Sequence, residues 1–124
     1  MHNVLVVSTD KSLRVLVEIL LKSAEKYWVG YSSKLPTGEQ IQEAEIAIID
    51  LDSAPHTGLA MARTFRDLKP EIAILFLATD ESEGRSAVSR LGKSTWLDNP
   101  LQTRALALQQ KVAEAINIMQ EKSE

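Results

Sequence analysis

The stretch Ile46-Ala47-Ile48-Ile49-Asp50 decides the predicted fold. Its first four residues are apolar and mostly β-branched, which is typical of a strand that is buried on both faces of a parallel sheet. The carboxylate that ends the run is costly to bury unless water, a cation or hydrogen bonds compensate its charge. Asp50 is therefore the best candidate for a functional group in this chain.

Strand and helix patterns alternate on both sides of this stretch. Short apolar runs predict strands at residues 4–7, 27–31, 46–49, 72–77 and 95–97. Apolar residues at helical spacing predict helices at residues 11–26, 37–44, 57–68, 82–91 and 101–120. This alternation indicates an α/β domain, in which helices cover both faces of a parallel sheet through right-handed crossovers.

Capping signals support several of these boundaries. Asp10 or Ser12 is expected to cap the first helix, and Thr37 with Gln40 forms a predicted capping box at the second. The 124 residues fit one domain, expected over residues 1–120, with a frayed tail at 121–124.

Composition excludes several classes of function. The chain has no cysteine, which rules out disulfide scaffolds, thiolate zinc sites and thiol catalysis, and fits a cytoplasmic location. The net charge is −3 and no basic block is present, so we expect no direct nucleic-acid binding. Arg63 and Arg66, three residues apart on a predicted helix, are expected on a solvated face. No apolar run approaches membrane-spanning length, and no phosphate-binding glycine motif or nucleophile elbow is present.

The topology predicts where a site should form. In parallel sheets of this kind a ligand or reaction site lies outside the carboxyl ends of the strands. The residues that follow the predicted strands are therefore expected to converge on one crevice; they are Ser8, Thr9, Asp10, Asp50, Asp52, Ala78, Thr79, Asp98 and Asn99.

Over nearly its full length the chain resembles the receiver domain of bacterial two-component response regulators. Val4–Val7 and the helix start that follows resemble the first strand and helix of the family, and Ile48-Ile49-Asp50 resembles its third strand with the phosphoacceptor. Gly58 lies eight residues after Asp50, where the family usually has a glycine. Trp96 falls at the aromatic switch position, and Asn99-Pro100 stands in place of the family's Lys-Pro. It implies a three-layer, doubly wound, flavodoxin-like fold with five parallel strands in the order 2-1-3-4-5. It also implies a role in signal transduction, with Asp50 as the phosphoacceptor candidate.

The departures from the family pattern concern the phosphotransfer chemistry. The acidic pair that holds Mg²⁺ in the family falls on Ser8 and Thr9, with Asp10 one residue later. The hydroxyl residue at the end of the fourth strand falls on Ala78, with Thr79 one residue beyond, and Asn99 replaces the lysine that pairs with the phosphoryl group. Of the family's core chemistry, Asp50 alone clearly remains.

These departures favour a pseudo-receiver, in which the fold is kept for protein–protein interaction and is not an enzyme. We expect no cofactor, and Asp50 with the backbone of Asp52 is a weak candidate site for Mg²⁺, which needs carboxylate ligands. Two alternatives stay open: a phosphorylatable receiver that uses Asp50, and a small ligand-binding protein or enzyme on the same fold. Simpler interpretations also stay open, with Asp50 as a loop cap, Ser8 and Thr9 as turn residues, and Trp96 as core.

The resemblance also implies partners. Receivers bind histidine kinases, output domains or a second copy of themselves through the face formed by the fourth helix, the fifth strand and the fifth helix. In this chain that face would include Trp96, residues 86–90 and residues 103–110. A homodimer is among the expected assemblies, and no membrane contact is expected.

Overall fold

The structure, a computed structural model, describes residues 2–22, 27–32, 36–51, 55–78, 95–98 and 105–122. Strands and helices alternate through most of this part of the chain. The elements are β1 (His2–Val7), α1 (Lys11–Lys22), β2 (Tyr27–Ser32), α2 (Gly38–Glu43), β3 (Ile46–Asp50), α3 (Pro55–Leu68), β4 (Ala73–Ala78), β5 (Thr95–Asp98) and the C-terminal helix (Ala105–Lys122).

All the strand pairs of the sheet are parallel, and the order across it is β2-β1-β3-β4-β5. The predicted parallel α/β architecture is therefore confirmed. The buried strand β3 lies in the interior of the sheet, which explains why its residues 46–49 are apolar without alternation. The strand order reverses between β1 and β3, so the carboxyl ends of these two strands border the crevice in which such sheets place their sites.

Two apolar clusters, one on each face of the sheet, form the core. One cluster joins alternate residues of β1, β3 and β4 to α1 and the C-terminal helix, through Leu13, Val17, Leu108 and Val112 among others. The other joins the remaining strand residues to α2 and α3, with Phe65 fully buried. This arrangement is the expected result of strands whose successive side chains point to opposite faces.

Several element boundaries differ from the sequence-based prediction. Helix α3 begins at Pro55 and not at residue 57, because proline has no N–H to lose in the first turn of a helix. The C-terminal helix continues to Lys122 and so includes two residues of the predicted frayed tail, because Glu121 and Lys122 both favour helix formation. The predicted helix at residues 82–91 and the predicted helical start at 101–104 lie outside the described residues.

Helix α2 begins with the predicted capping box. The Thr37 hydroxyl oxygen accepts a hydrogen bond from the Gln40 backbone N–H at 3.2 Å, and the Gln40 side-chain oxygen accepts one from the Thr37 N–H at 2.9 Å. This reciprocal pair satisfies N–H groups that have no partner within the helix. It allows a helix of six residues to form at a defined place.

Side-chain donors satisfy the carbonyl groups at the far end of the molecule, opposite the crevice. Lys69 Nζ donates to the carbonyl oxygens of Gln42 and Ala44 at 2.8 and 2.6 Å, at the end of α2. Arg66 Nε donates to the Ile72 carbonyl oxygen at 3.1 Å, and burial lowers the pKa of the Arg66 guanidinium. Arg66 thus lies packed between α3 and β4, whereas the sequence predicted a solvated residue.

Among the described helices, none has the length and apolar character to cross a membrane.

Candidate functional site

The carboxyl ends of β1 and β3 bring Ser8 and Asp50 together. The two strands are parallel neighbours, with Val7 opposite Ile49 in the register. β3 ends at Asp50 and β1 ends one residue before Ser8, both at the carboxyl edge of the sheet, so the two residues border the crevice. The sequence predicted this convergence for Ser8 and Asp50, and the structure confirms it.

A direct hydrogen bond joins these two residues. Ser8 Oγ donates to Asp50 Oδ2 at 2.7 Å, and the two residues are only 3% and 6% exposed. A hydrogen bond to an ionised carboxylate is about twice as strong as one between neutral groups, and burial strengthens it further. The serine hydroxyl therefore compensates part of the cost of burying the Asp50 charge.

The same hydroxyl group also organises the loop after β1. Ser8 Oγ accepts a hydrogen bond from the Asp10 backbone N–H at 3.0 Å, and the Ser8 carbonyl oxygen accepts one from Arg14 Nη1 at 3.0 Å. Ser8 thus links β1, the start of α1 and the end of β3. Serine suits this place because its hydroxyl both donates and accepts.

Asp10 is used as a helix cap. Its Oδ1 accepts hydrogen bonds from the backbone N–H groups of Ser12 and Leu13, at 2.9 and 3.3 Å. These are the unsatisfied donors of the first turn of α1, and the exposed carboxylate also interacts favourably with the helix dipole. The predicted capping role of Asp10 is confirmed, and this role orients its carboxylate toward the N-terminus of α1. Thr9 is exposed.

Helix α3 packs closely against the end of β3. A Cβ atom at Gly58 would lie 2.8 Å from Leu51 Cδ2 and 3.2 Å from Ile49 Cγ2, so a side chain here would require both neighbours to shift. Leu51 is fully buried, and its N–H donates to the Leu77 carbonyl oxygen at 2.9 Å. The backbone on both sides of Asp50 is therefore held in place.

The described residues supply one buried candidate carboxylate for a Mg²⁺ site, that of Asp50. Magnesium requires near-octahedral oxygen ligands, usually with one or two carboxylates. Within the part of the chain that the structure describes, no group of three or more acidic or histidine side chains is placed to hold a metal ion. Asp50 bonds to Ser8, and Asp10 caps α1. Asp52, the other weak candidate, lies outside the described residues.

The remaining predicted site residues are described only in part. Ala78 is the last residue of β4 and Trp96 lies within β5, both as backbone. Thr79 and Asn99 lie outside the described residues, and their predicted roles stay predictions. Sequence reasoning missed that Arg14 contacts the Ser8 carbonyl, and the spacing of the two residues gave no signal for this contact.

Comparison with solved structures shows which fold this is. A CheY-like response regulator receiver domain protein from Methanospirillum hungatei has a TM-score of 0.76 at 16% identity, and the match covers 98% of both chains. A Burkholderia pseudomallei protein described as pilus assembly-related has a TM-score of 0.78 at 23% identity, with 95% of this chain and 91% of that chain covered. NtrX from Brucella abortus has a TM-score of 0.80 at 17% identity, and the match covers 99% of this chain but 28% of that chain.

No protein-family model and no curated protein sequence matches the chain. The structural matches therefore carry the assignment, and at these identities they establish the fold alone. The chain has the fold of a response-regulator receiver domain, as the resemblance implied.

Proposed function

We propose that this chain is a receiver-like signalling module that acts by binding other proteins, with degenerate phosphotransfer chemistry and no enzymatic activity of its own. The observation that supports this proposal best is the buried hydrogen bond from Ser8 Oγ to Asp50 Oδ2. It gives the acceptor carboxylate a permanent neutral partner inside the chain.

The charges around Asp50 explain why a serine at residue 8 matters for phosphotransfer. Transfer of a phosphoryl group to a carboxylate depends on positioning and on cations that neutralise the developing charge. With an acid at residue 8, a second carboxylate would lie beside Asp50 and the two like charges would need a metal ion between them. With serine at residue 8, the carboxylate is stabilised without a metal ion. The site is therefore suited to remaining in one state.

The proposed partners follow from the fold. They are a histidine kinase, an output domain or a second copy of the chain, bound through the face that includes β5 and the start of the C-terminal helix. Leu106 lies in this face and is 65% exposed, the highest value among the large apolar side chains of the described residues. A single exposed apolar side chain is ordinary on a protein surface, so the choice of this face rests on the fold. The matched NtrX chain extends far beyond the aligned part, which supports a receiver that works beside further domains.

We also propose a cytoplasmic location, which suits a chain without cysteine.

A second candidate function is a phosphorylatable receiver, favoured by the retention of an aspartate at the crevice end of β3. In that case an Asp50 oxygen attacks the phosphorus of a small phosphodonor, and the donor's leaving group departs with the bonding electrons. The product is an acyl phosphate on Asp50. A ligand-binding protein or enzyme on the same fold has no comparable support in the described residues.

Intact-mass spectrometry after incubation with Mg²⁺ and excess phosphoramidate or acetyl phosphate separates the two candidates. We expect the mass of the chain to stay unchanged, with an active chemotaxis receiver as the positive control for the reagents. Asp50→Asn serves as the matched variant. A gain of one phosphoryl group that is acid-labile and absent in Asp50→Asn would contradict the proposal and establish the phosphoacceptor.

Restoring the acids provides the complementary experiment. The double substitution Ser8→Asp and Thr9→Asp removes the neutral hydrogen-bond partner and returns the carboxylates that hold Mg²⁺ in receivers. If loss of these acids limits the chemistry, the double variant binds Mg²⁺ measurably by calorimetry, whereas the unmodified chain gives no saturable signal. Equal, saturable binding by both proteins would show that Ser8 does not replace the metal.

A further inference from the structure

A second surface, separate from the crevice and from the β5 face, lies at the opposite edge of the sheet. β2 is the edge strand, and its only described strand partner is β1. An edge strand exposes backbone N–H and C=O groups along its outer side, ready to pair with another strand. Proteins usually protect such edges with charged residues or proline.

The sequence of β2 lacks these protective residues. Its six residues, Tyr-Trp-Val-Gly-Tyr-Ser, contain no charge and no proline, and they hold three of the chain's six aromatic residues. Aromatic and β-branched residues stabilise strand pairing, and tyrosine and tryptophan are enriched at protein interfaces. This composition favours association of the strand edge with a partner strand.

A recess lies beside the strand on the face covered by α2. Its volume is about 240 Å³, and Leu5, Gly30, Gln40 and Glu43 are among its lining residues. A Cβ atom at Gly30 would meet nothing within 4 Å, and Gly30 itself is exposed. Gly30 therefore has open space beside it on this face of the sheet.

We propose that the β2 edge, residues 27–32, is a homodimer surface on which a second copy of the chain adds its own β2. The composition of the strand itself selects this occupant. A strand without charged residues offers no complement to an acidic or basic peptide, whereas it matches another uncharged strand rich in aromatic residues. The chain supplies such a strand itself. A two-fold axis then pairs the two β2 strands antiparallel, and the two sheets become one continuous sheet.

Sedimentation velocity of the full chain, from low-micromolar to near-millimolar concentration, tests this proposal. Gly30→Lys places two like charges near the two-fold axis at a residue whose backbone and surroundings accept a side chain. We expect the dimer dissociation constant to rise at least about tenfold, or about 1.4 kcal/mol. Ala60→Lys, at an exposed place on α3, is the matched control and should leave the constant unchanged. Gly30→Val, which keeps the edge uncharged, should retain the dimer.

Amide hydrogen exchange locates the contact. The backbone amides of residues 27–32 should gain protection when the concentration rises above the dissociation constant, and circular dichroism should show that all three variants are folded. A monomer at every concentration would overturn the proposal. So would a dimer that Gly30→Lys and Ala60→Lys weaken equally, or one that leaves the β2 amides unprotected. None of these results depends on whether Asp50 accepts a phosphoryl group.

Discussion

Ser8→Ala is the substitution that tests most directly how Asp50 is stabilised. It removes the hydroxyl that donates to Asp50 Oδ2 at 2.7 Å and that accepts the Asp10 N–H at 3.0 Å. Both Ser8 and Asp50 are buried, so water cannot simply replace the lost donor. A hydrogen bond to a charged group contributes about 1.5–3 kcal/mol, and Asp50 keeps its other interactions. We therefore expect a loss of about 2 kcal/mol in the free energy of unfolding.

Thermal and urea unfolding measure this loss. An unfolding entropy of about 2.1 cal/mol/K per residue corresponds, for 124 residues, to about 0.26 kcal/mol per degree. The expected decrease in Tm is therefore about 8 °C. Ser12→Ala is the matched control, since Ser12 is exposed on α1, and it should change the stability by less than about 0.5 kcal/mol.

A double-mutant cycle with Asp50→Asn shows whether the carboxylate charge is the cause. With a neutral amide in place of the carboxylate, the Ser8 hydrogen bond falls to about 1 kcal/mol, so the cycle should give a coupling energy of about 1 kcal/mol. If Ser8→Ala costs no more than Ser12→Ala, or if the coupling energy is zero, then Ser8 does not stabilise the Asp50 charge. The electrostatic basis of the proposed function would then be lost.

Three further substitutions test packing and capping around the sheet, each by urea unfolding. Gly58→Ala should lower the free energy of unfolding by about 1–3 kcal/mol, because the added methyl group overlaps its neighbours. Gly38→Ala is the control and should be neutral or stabilising, because the space around its Cβ is open. Similar costs for both substitutions would refute the packing argument. Lys69→Met should lower the free energy of unfolding by about 1–2 kcal/mol, because both hydrogen bonds at the end of α2 are lost. The exposed Lys11→Met is the control and should cause almost no change. Equal stability of the two variants would show that Lys69 does not stabilise the end of α2. Thr37→Ala should cost about 1 kcal/mol as a lost helix cap, and an unchanged midpoint would show that the capping box does not stabilise α2.

The architecture of the chain was predictable because its signals are local. Residues 46–49 and 4–7 are continuous apolar runs, and each is a buried strand in the structure. The capping residues Asp10 and Thr37 were also recognisable, because a cap and the N–H groups it satisfies lie within four residues of each other. Such features require no knowledge of distant contacts.

The features that the sequence did not reveal depend on distant contacts. Leu51 was placed in a loop, yet it is fully buried because α3 packs over it at Gly58. Ser8 was expected in the crevice, but as a turn residue. Its role as the hydrogen-bond donor to Asp50 depends on a contact between residues 42 positions apart in the sequence. Arg66 was expected in solvent and is half-buried against β4 for the same kind of reason.

The Ser8–Asp50 pair also bears on how such a module can carry a signal. A ligand shifts a conformational equilibrium only when it binds one state more tightly than the other. In an active receiver, the metal ion and the phosphoryl group supply that difference at the acceptor carboxylate. Under the proposed function, the donor that stabilises Asp50 is part of the chain, so this hydrogen bond does not depend on a ligand. A signal would then come from the concentration and affinity of a protein partner, which selects the state in which its surface is exposed.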